Sequence, residues 1–359
     1  MNLKEILDKL NKIKMFNTAF NLSDHIENAF KKLEIEGEIA PKNINKIVIV
    51  GMGGSGIIGN ILSDWLEMKI KIPIFLWKDY NLPSWIDSNT LILAISYSGN
   101  TEEVLSSIIY AIKRKCQIVG ITSNGMLLQL ASKYNFPIIK IPQGYQPREA
   151  IPYLLSGGII ALCETNIIKR EKVNEEVDEV LKTLNEMKIE LKKDFNKIIQ
   201  LARNLCKSHI VIYTYKPLRA AALRFKQQLN ENSKCFAKVE FLPEAGHNEI
   251  VGWKADDKVL TNIKVVFLRD LIENEVMSAR IKAFIDEIKN RNVKFYEVYA
   301  RGNNILTRIL SLIYIGDLTS ITIAVIKGID PIEIEPIRKL KKLVKATGYL
   351  SKLMETIEY

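Results

Sequence analysis

Short apolar runs alternate with amphipathic segments along most of this chain, and this alternation limits its fold more than any other feature. Each run has the length of a buried strand, and each is followed by a segment with helical periodicity. Strands that alternate with helices form parallel sheets covered on both faces. The first half of the chain contains five such runs, at residues 46–50, 72–77, 90–95, 116–122 and 136–142.

The alternation stops at a highly charged segment and then begins again. Residues 169–205 carry an apolar residue at every third or fourth position among many charges, which is typical of long helices. A long apolar helical stretch, 305–328, ends before Pro331. Between these segments lie four more strand-like runs, at 209–215, 237–242, 263–268 and 293–300.

This order of elements predicts an α/β protein with two α/β/α sandwich lobes, each with a mainly parallel sheet flanked by helices. We expect an N-terminal domain at 1–165 that includes a helical extension. A helical linker at 166–205 and a C-terminal domain at 206–359, ending in helices, complete the expected organisation.

Composition narrows the class of protein. Of the 359 residues, 47% are hydrophobic and 26% are charged, as in ordinary globular proteins. No stretch reaches the roughly 18 uncharged apolar residues of a transmembrane helix, and the charged N-terminus is unlike a secretory signal. The four cysteines are scattered and form no C-x-x-C pair, which is typical of reduced thiols. We therefore expect a cytoplasmic protein without a membrane partner.

The formal net charge of +10 raises the question of a nucleic-acid partner. Many of the lysines, in 169–197 and 338–345, alternate with apolar residues at helical spacing, as on the solvated faces of amphipathic helices. No segment resembles a nucleic-acid-binding module. We therefore expect no nucleic-acid partner.

A glycine-rich loop, GMGGSG at 51–56, follows the first strand and precedes a helix. It satisfies the G-x-G-x-x-G pattern of dinucleotide-binding proteins, with Gly51, Gly53 and Gly56 in the glycine positions. Asp79, near the end of the second strand, could then bind a ribose, so a nicotinamide-dependent oxidoreductase is one interpretation. A tight strand-to-helix turn that needs glycine for steric reasons is the other.

A second loop, ISYSGNTEE at 95–103, ends another apolar strand and begins another helix. A helix N-terminus offers free N–H groups and a partial positive charge, and Ser96, Ser98 and Thr101 add hydroxyls. Together they could bind a phosphate. Helix capping is the alternative, because Asn100 and Glu103 have the spacing of a capping box. Three hydroxyls and a glycine favour the phosphate.

These two loops resemble the signature loops of the sugar isomerase (SIS) domain. The chain as a whole resembles the bifunctional phosphoglucose/phosphomannose isomerase family, with further similar motifs in the same order: PREA at 147–150, LNENSK at 229–234, LPEAGHNEIVGW at 242–253 and GDLTS at 316–320. The resemblance implies a cofactor-independent and metal-independent aldose–ketose isomerase. It would interconvert glucose 6-phosphate and mannose 6-phosphate with fructose 6-phosphate through a cis-enediol(ate).

The resemblance also implies the roles of four catalytic residues. Glu231 would shuttle the proton between C1 and C2, and His247, reaching the site of a neighbouring subunit, would open the sugar ring. Arg148 would face the enediolate oxygens, since a guanidinium stays charged and binds two oxygens at once. Lys327 would assist ring opening. Each also has an ordinary structural reading: a solvated helix end for Glu231, a polar loop residue for His247, a surface ion pair for Arg148 and a helix C-terminus for Lys327.

The remaining site residues bind substrate in this interpretation. Thr319 would leave room for either configuration at C2, where glucose-only isomerases of the family carry a bulkier glutamine. The phosphate would be held by Ser55, Ser96, Ser98 and Thr101, with Gly53 and Gly54 letting the backbone approach the sugar. The resemblance further implies a homodimer with a shared active site.

Three other classes of protein agree less well with the sequence. A sugar-phosphate sensor would keep the phosphate loops, but no DNA-binding module precedes residue 46. A nicotinamide oxidoreductase would leave the second loop unexplained. A zinc-dependent isomerase is disfavoured because the three histidines, His25, His209 and His247, are far apart in sequence and form no ligand motif. We expect His25 and His209 to be structural.

Overall fold

A computed structural model of the chain describes residues 1–39 and 43–356. Two compact units make up the fold. The six-stranded unit comprises Asp24–Glu175 and Ile334–Tyr359, and the four-stranded unit comprises Met1–Ser23 and Glu176–Glu333. The divisions fall within α3 (Leu22–Lys32) and α8 (Arg170–Lys193) and just before α15 (Glu335–Ala346).

The sheet of the six-stranded unit has the strand order β1-β6-β5-β4-β2-β3. All neighbours are parallel except β1, which pairs antiparallel with β6. Its central strands are buried along nearly their whole length, as expected for a parallel sheet covered on both faces. The strands are β1 (Ile35–Glu36), β2 (Lys46–Val50), β3 (Ile74–Trp77), β4 (Thr90–Ile95), β5 (Gln117–Thr122) and β6 (Ile138–Lys140).

Helices cover both faces of this sheet. On one face Val48 and Ile92 pack with apolar residues of α5 (Glu102–Lys113) and α6 (Met126–Tyr134), and α16 (Tyr349–Glu355) adds Leu350 and Met354. On the other face lie α4 (Gly53–Leu66) and α7 (Ile151–Glu164), which also contact each other. The unit is therefore an α/β/α sandwich.

The four-stranded unit has an all-parallel sheet of order β10-β9-β7-β8. One face packs on α13 (Glu275–Asn290) through Val265, Phe267 and Phe284. On the other face α10 (Arg219–Glu231) contacts β7 and β8 and packs on α14 (Ile305–Lys327), which in turn packs on α9 (Asn196–Leu205). The strands are β7 (His209–Thr214), β8 (Ala237–Phe241), β9 (Ile263–Arg269) and β10 (Lys294–Tyr299), and the short helices are a 3-10 turn (Glu244–His247), α11 (Glu249–Gly252) and α12 (Asp257–Leu260).

The N-terminal helices belong to the four-stranded unit, which differs from the contiguous boundaries that the sequence indicated at 165 and 206. Both α1 (Leu3–Asn11) and α2 (Lys14–Phe20) contact α14. The rings of Phe16 and Phe20 lie 5.5 Å apart, the Phe16 ring lies 5.7 Å from that of Phe195, and the Tyr314 hydroxyl donates to the carbonyl of Phe20 at 3.0 Å. Aromatic packing on α14 therefore fixes the start of the chain within this unit.

Helix α14 is long and apolar enough to cross a membrane if length and composition alone are considered. In the structure 89% of its most apolar 18-residue segment is buried, and the helix packs against α9, α10, α1 and α2. It is the central helix of the four-stranded unit.

The fold class predicted from the alternating pattern is confirmed, since both sheets are mainly parallel and flanked by helices. All nine strand-like runs of the sequence contain a strand, and most strands are shorter than the run. The short edge strand β1 was not predicted. The segment expected to link the domains is occupied by α8 and α9.

Candidate active site

Both signature loops lie at the switch point of the six-stranded sheet. Strands β2 and β4 are neighbours, and the chain leaves β2 toward β3 on one side and β4 toward β5 on the other. Their carboxyl ends are followed by the starts of α4 and α5. A crevice at the carboxyl edge of such a switch point is where open α/β sheets bind ligands.

The hydroxyl groups of the two loops are joined by hydrogen bonds. The Ser55 hydroxyl, at the start of α4, accepts from the backbone N–H of Tyr97 at 3.1 Å. The Ser96 and Thr101 hydroxyls lie 2.9 Å apart. Ser98 is exposed, and its hydroxyl accepts from the Asn100 N–H at 3.3 Å. The four predicted phosphate-binding hydroxyls therefore lie in two loops that are adjacent in space.

The capping-box alternative is not what the structure contains. The N-cap of α5 is Thr101, and no side chain there accepts a hydrogen bond from the first turn. The side-chain oxygen of Asn100 instead accepts from the N–H of Met126, at 2.9 Å, at the start of α6. The N-cap of α4, Met52, also provides no side-chain cap. Two helix N-termini at this edge therefore keep their dipole and N–H groups available to an anion.

Gly99 is required where the second loop passes under the start of α6. Its φ is +67°, and a Cβ built on it would lie 1.8 Å from the carbonyl oxygen of Asn124. No side chain could be accommodated at that distance. The glycine therefore lets this loop pack directly on the loop that follows β5.

Gly54 explains how Arg148 reaches the glycine loop. A Cβ at Gly54 would lie 2.9 Å from both Cα and N of Arg148. Arg148 is 4% exposed, so a charged side chain is almost fully buried beside the start of α4. Gly53, by contrast, has φ +51° and open space around its Cβ position. The two adjacent glycines thus serve different ends, a close backbone contact at Gly54 and a left-handed turn at Gly53.

Tyr97 joins the loops of this site, although no motif of the sequence points to it. Its hydroxyl donates to the carbonyl of Pro142 at 3.3 Å and accepts from the N–H of Tyr145 at 2.8 Å. Its own carbonyl accepts from the Ser123 hydroxyl at 2.7 Å. A cavity of about 510 Å³ borders Tyr97, Ser98, Ser123 and Tyr145. The sequence feature that could have indicated this role is a large aromatic residue placed between two serines, Ser96 and Ser98.

In the four-stranded unit, Glu231 and Lys327 are associated through the chain segment that follows Glu231. Glu231 is the last residue of α10 and is half-buried. Lys327 is the last residue of α14, and its ammonium donates to the carbonyls of Ser233 at 2.7 Å and Lys234 at 3.2 Å. Lys234 in turn donates to the Glu231 carbonyl at 2.9 Å. Hydrogen bonds therefore join the C-terminal ends of α10 and α14 next to Glu231.

Thr319 is fully buried on α14, with 0% exposure. Its hydroxyl has no hydrogen-bond partner among the residues that the structure describes. Unpaired buried hydroxyls are uncommon because they lose their hydration without compensation.

His247 lies at the opposite edge of the same sheet from Glu231. The Asn230 side chain, next to Glu231, accepts from the N–H of Ala237, the first residue of β8, at 3.1 Å. His247 comes after the end of β8, in the 3-10 turn, and is exposed. The length of β8, about 16 Å at roughly 3.3 Å per residue, separates the two edges. Within one chain, the structure does not bring Glu231 and His247 together.

The other candidates have local partners. His25 lies 3.0 Å from the Tyr153 hydroxyl, and the His209 ring packs edge-on against Phe236. Asp79 is exposed, and its carboxylate accepts from the N–H of Tyr80 at 2.7 Å.

Two family profiles match the chain. Residues 41–144 match the SIS domain, and residues 195–344 match the bacterial phospho-glucose isomerase C-terminal SIS domain. In a solved structure, the C-terminal domain of glucosamine-fructose-6-phosphate aminotransferase from Francisella tularensis aligns with a TM-score of 0.64 at 16% identity. That alignment covers 89% of this chain and 98% of the other. The likeness shows that the fold is shared.

Sequence relatives cover almost the whole chain. A bifunctional phosphoglucose/phosphomannose isomerase from Caldicellulosiruptor bescii is 34% identical over 91% of this chain and 98% of its own length. The protein of the same name from Aquifex aeolicus is 36% identical, with the same coverage. With these identities over nearly full length, and with SIS-type loops at the switch point of its first sheet, the chain belongs to the bifunctional phosphoglucose/phosphomannose isomerase family.

Proposed function

We propose that this protein is an aldose–ketose isomerase that interconverts glucose 6-phosphate and mannose 6-phosphate with fructose 6-phosphate. The observation that carries the proposal is the anion site of the six-stranded unit. Hydroxyl-rich loops meet two helix N-termini without side-chain caps, beside the buried Arg148. Such a site suits a sugar phosphate, because dipoles and N–H groups bind the dianion. Membership of the family supplies the reaction class.

In this proposal the phosphate is bound by Ser55, Ser96, Ser98 and Thr101, with Gly53 and Gly54 opening the backbone to the sugar. After ring opening, the C2 proton leaves to a base and returns at C1, and negative charge develops on the enediolate oxygens. Arg148 stabilises that charge, because a pre-positioned cation in a water-poor site needs no reorganisation during the reaction. Its burial, at 4% exposure, strengthens the interaction.

Proton transfer is assigned to the residues of the four-stranded unit. Glu231 removes the C2 proton and returns it to C1, and one carboxylate on one face of the enediol serves both carbons. Lys327 and His247 assist ring opening. Thr319 leaves space at C2, so that both epimers are accepted.

We further propose that the enzyme is a homodimer in which His247 of one subunit completes the active site of the other. The support is geometric, because the length of β8 separates His247 from Glu231 in one chain. Glu231 and His247 of one subunit could not then act together on one sugar. A second copy related by symmetry would supply the missing group.

The shared site is tested by mixing two inactive variants. Glu231→Gln and His247→Ala homodimers are unfolded together, mixed in equal amounts and refolded. A shared site predicts recovery of about a quarter of the wild-type activity, because half of the dimers are mixed and each has one intact site. No recovery, with mixed dimers demonstrated by mass spectrometry, would contradict a shared site.

We place the enzyme in the cytoplasm. The four cysteines, Cys116, Cys163, Cys206 and Cys235, all lie in the described residues and are not in disulfides, which suits a reducing compartment.

The activity itself is tested by measuring turnover of glucose 6-phosphate and mannose 6-phosphate, with EDTA present, for the wild type and Glu231→Gln. We expect both sugars to be converted to fructose 6-phosphate by the wild type, and the rate to fall by about a thousandfold or more in the variant. Sugar-phosphate binding without any turnover in the wild type would instead support a non-catalytic sensor. Turnover of amino sugar phosphates alone would keep the reaction class and change the substrate.

A further inference from the structure

A buried ion pair joins α10 to α14. The Arg224 side chain is 2% exposed and that of Asp317 is 8% exposed. The guanidinium donates through Nε to both carboxylate oxygens, at 3.0 and 3.1 Å, and through Nη2 to Oδ2 at 2.6 Å. Close to it, Gly316 lets α14 approach the Phe225 ring of α10, since a Cβ there would lie 3.0 Å from the ring.

The ion pair belongs to a buried hydrogen-bond network formed by Arg224, Gln228, Asn232, Asp317 and Ser320. The Gln228 side-chain oxygen, in the amide orientation that suits its neighbours, accepts from Nη2 of Arg224 at 2.7 Å. Asn232 donates to the Ser320 hydroxyl at 3.0 Å, and Ser320 donates to the Asp317 carbonyl at 2.8 Å. The network crosses from α10 to α14 twice, at Arg224–Asp317 and at Asn232–Ser320.

The network reaches two residues of the proposed active site. Asn232 is the C-cap of α10 and directly follows Glu231. Ser320 directly follows Thr319 on α14. Both Asn232 and Ser320 are buried, with 1% and 0% exposure, so water does not compete for their hydrogen bonds. The network therefore fixes the position of the C-terminal end of α10 relative to α14.

A buried ion pair contributes little to stability compared with apolar packing of the same volume, because both charges lose their hydration. Fixing the register between neighbouring elements is the best-attested role of such buried polar groups. Catalysis by a single base requires that kind of precision, since a displacement of about 1 Å lowers the rate by about 100-fold.

We propose that Arg224, Asp317 and Ser320 are positioning residues, which hold Glu231 in register with Thr319 for proton transfer. None of them touches the sugar. The inference rests on the proposed isomerase function, and it predicts that loss of the network lowers kcat while leaving sugar-phosphate binding, and therefore KM, nearly unchanged.

The mildest test compares two buried hydroxyls on α14. Ser320→Ala removes the hydroxyl that accepts from Asn232, and Thr322→Ala removes one that donates to the Leu318 carbonyl of its own helix, at 2.7 Å. We expect kcat to fall by about tenfold in Ser320→Ala, with KM within about threefold of the wild type. Thr322→Ala should keep the wild-type kcat. Equal kcat values in the two variants and the wild type would overturn the proposal.

A stronger test separates positioning from folding. Asp317→Asn is expected to lower kcat by about 100-fold, but it leaves a buried charge on Arg224 and could also unfold the chain. The double variant Arg224→Met/Asp317→Leu replaces the pair by apolar side chains of similar size, which buried pairs tolerate. We expect it to fold with a melting temperature near that of the wild type and still to have a low kcat.

Wild-type kcat in the folded double variant would show that the pair serves only folding, and would overturn the inference. Absence of isomerase activity in the wild type would instead reject the proposed function. The two failures are therefore distinguishable.

Discussion

Substitution of Gly54 by alanine tests how the glycine loop positions Arg148. The φ of Gly54 lies outside the left-handed region, so the backbone accepts alanine. Helix propensity alone would favour the change by up to about 1 kcal/mol. The new Cβ, however, would lie 2.9 Å from the Arg148 backbone, which is 0.5 Å closer than the 3.4 Å at which ordinary contact begins. The segment that carries Arg148 must therefore move away from α4.

The magnitude follows from that displacement. If 1 Å of misplacement costs about 100-fold in rate, a shift of about 0.5 Å costs about tenfold in kcat/KM. Overpacking of this kind also lowers the free energy of unfolding by about 1–3 kcal/mol. Initial rates with glucose 6-phosphate and thermal unfolding measure the two effects on the same sample.

Gly348→Ala is the matched control for a generic effect of alanine. Gly348 has φ +66° and open space around its Cβ position, so the substitution should cost about 1–3 kcal/mol of backbone strain without changing kcat/KM. A Gly54→Ala enzyme with wild-type kcat/KM and a higher melting temperature would refute the argument that this glycine sets the position of Arg148.

Three further predictions concern buried groups. Thr319→Val replaces a buried hydroxyl that has no hydrogen-bond partner among the described residues by a methyl group. The free energy of unfolding, measured in denaturant titrations, should therefore rise by up to about 1 kcal/mol, and both sugars should still be turned over. A loss of stability would mean that the hydroxyl has a partner. Burial raises the pKa of the Cys163 thiol to about 11, so its alkylation at pH 8, followed by mass spectrometry, should be about 100-fold slower in native than in denatured protein. Because the folded state favours the neutral thiol, the stability that Cys163 contributes is present below pH 9 and is lost as the pH rises toward 11; native and denatured rates that are equal would contradict this. Arg224→Met alone leaves Asp317 buried without its cation and should cost about 3–5 kcal/mol in chemical denaturation, whereas the double variant with Asp317→Leu should recover most of that loss.

The sequence predicted the architecture well because strand and helix periods are local properties of the chain. The edge strand β1 was missed because its two residues, Ile35 and Glu36, are too few to show a period. The assignment of the first 23 residues to the four-stranded unit depends on contacts between Phe16, Phe20 and Phe195, which are far apart in sequence. No local pattern encodes such a contact.

The site was only partly readable for the same reason. The hydroxyl loop could be recognised from its residue types, but the sequence could not decide between phosphate binding and helix capping. In the structure the Asn100 side chain bonds to Met126, 26 positions away, instead of capping α5. The linking role of Tyr97 and the close approach of Gly54 to Arg148 also depend on distant partners. The catalytic roles of Glu231, His247, Lys327 and Thr319 stay predictions from the family resemblance.

Proton transfer through an enediol at Glu231 is the central claim, and isomerisation in D₂O tests it most directly. Glucose 6-phosphate and mannose 6-phosphate are each converted to a small extent, and the fructose 6-phosphate formed is examined by NMR for deuterium at C1. A carboxylate base exchanges part of its proton with solvent, so we expect deuterium at C1 from both sugars with the wild type and none with Glu231→Gln. Complete retention of protium at C1 in the wild-type product, from either sugar, would contradict the claim.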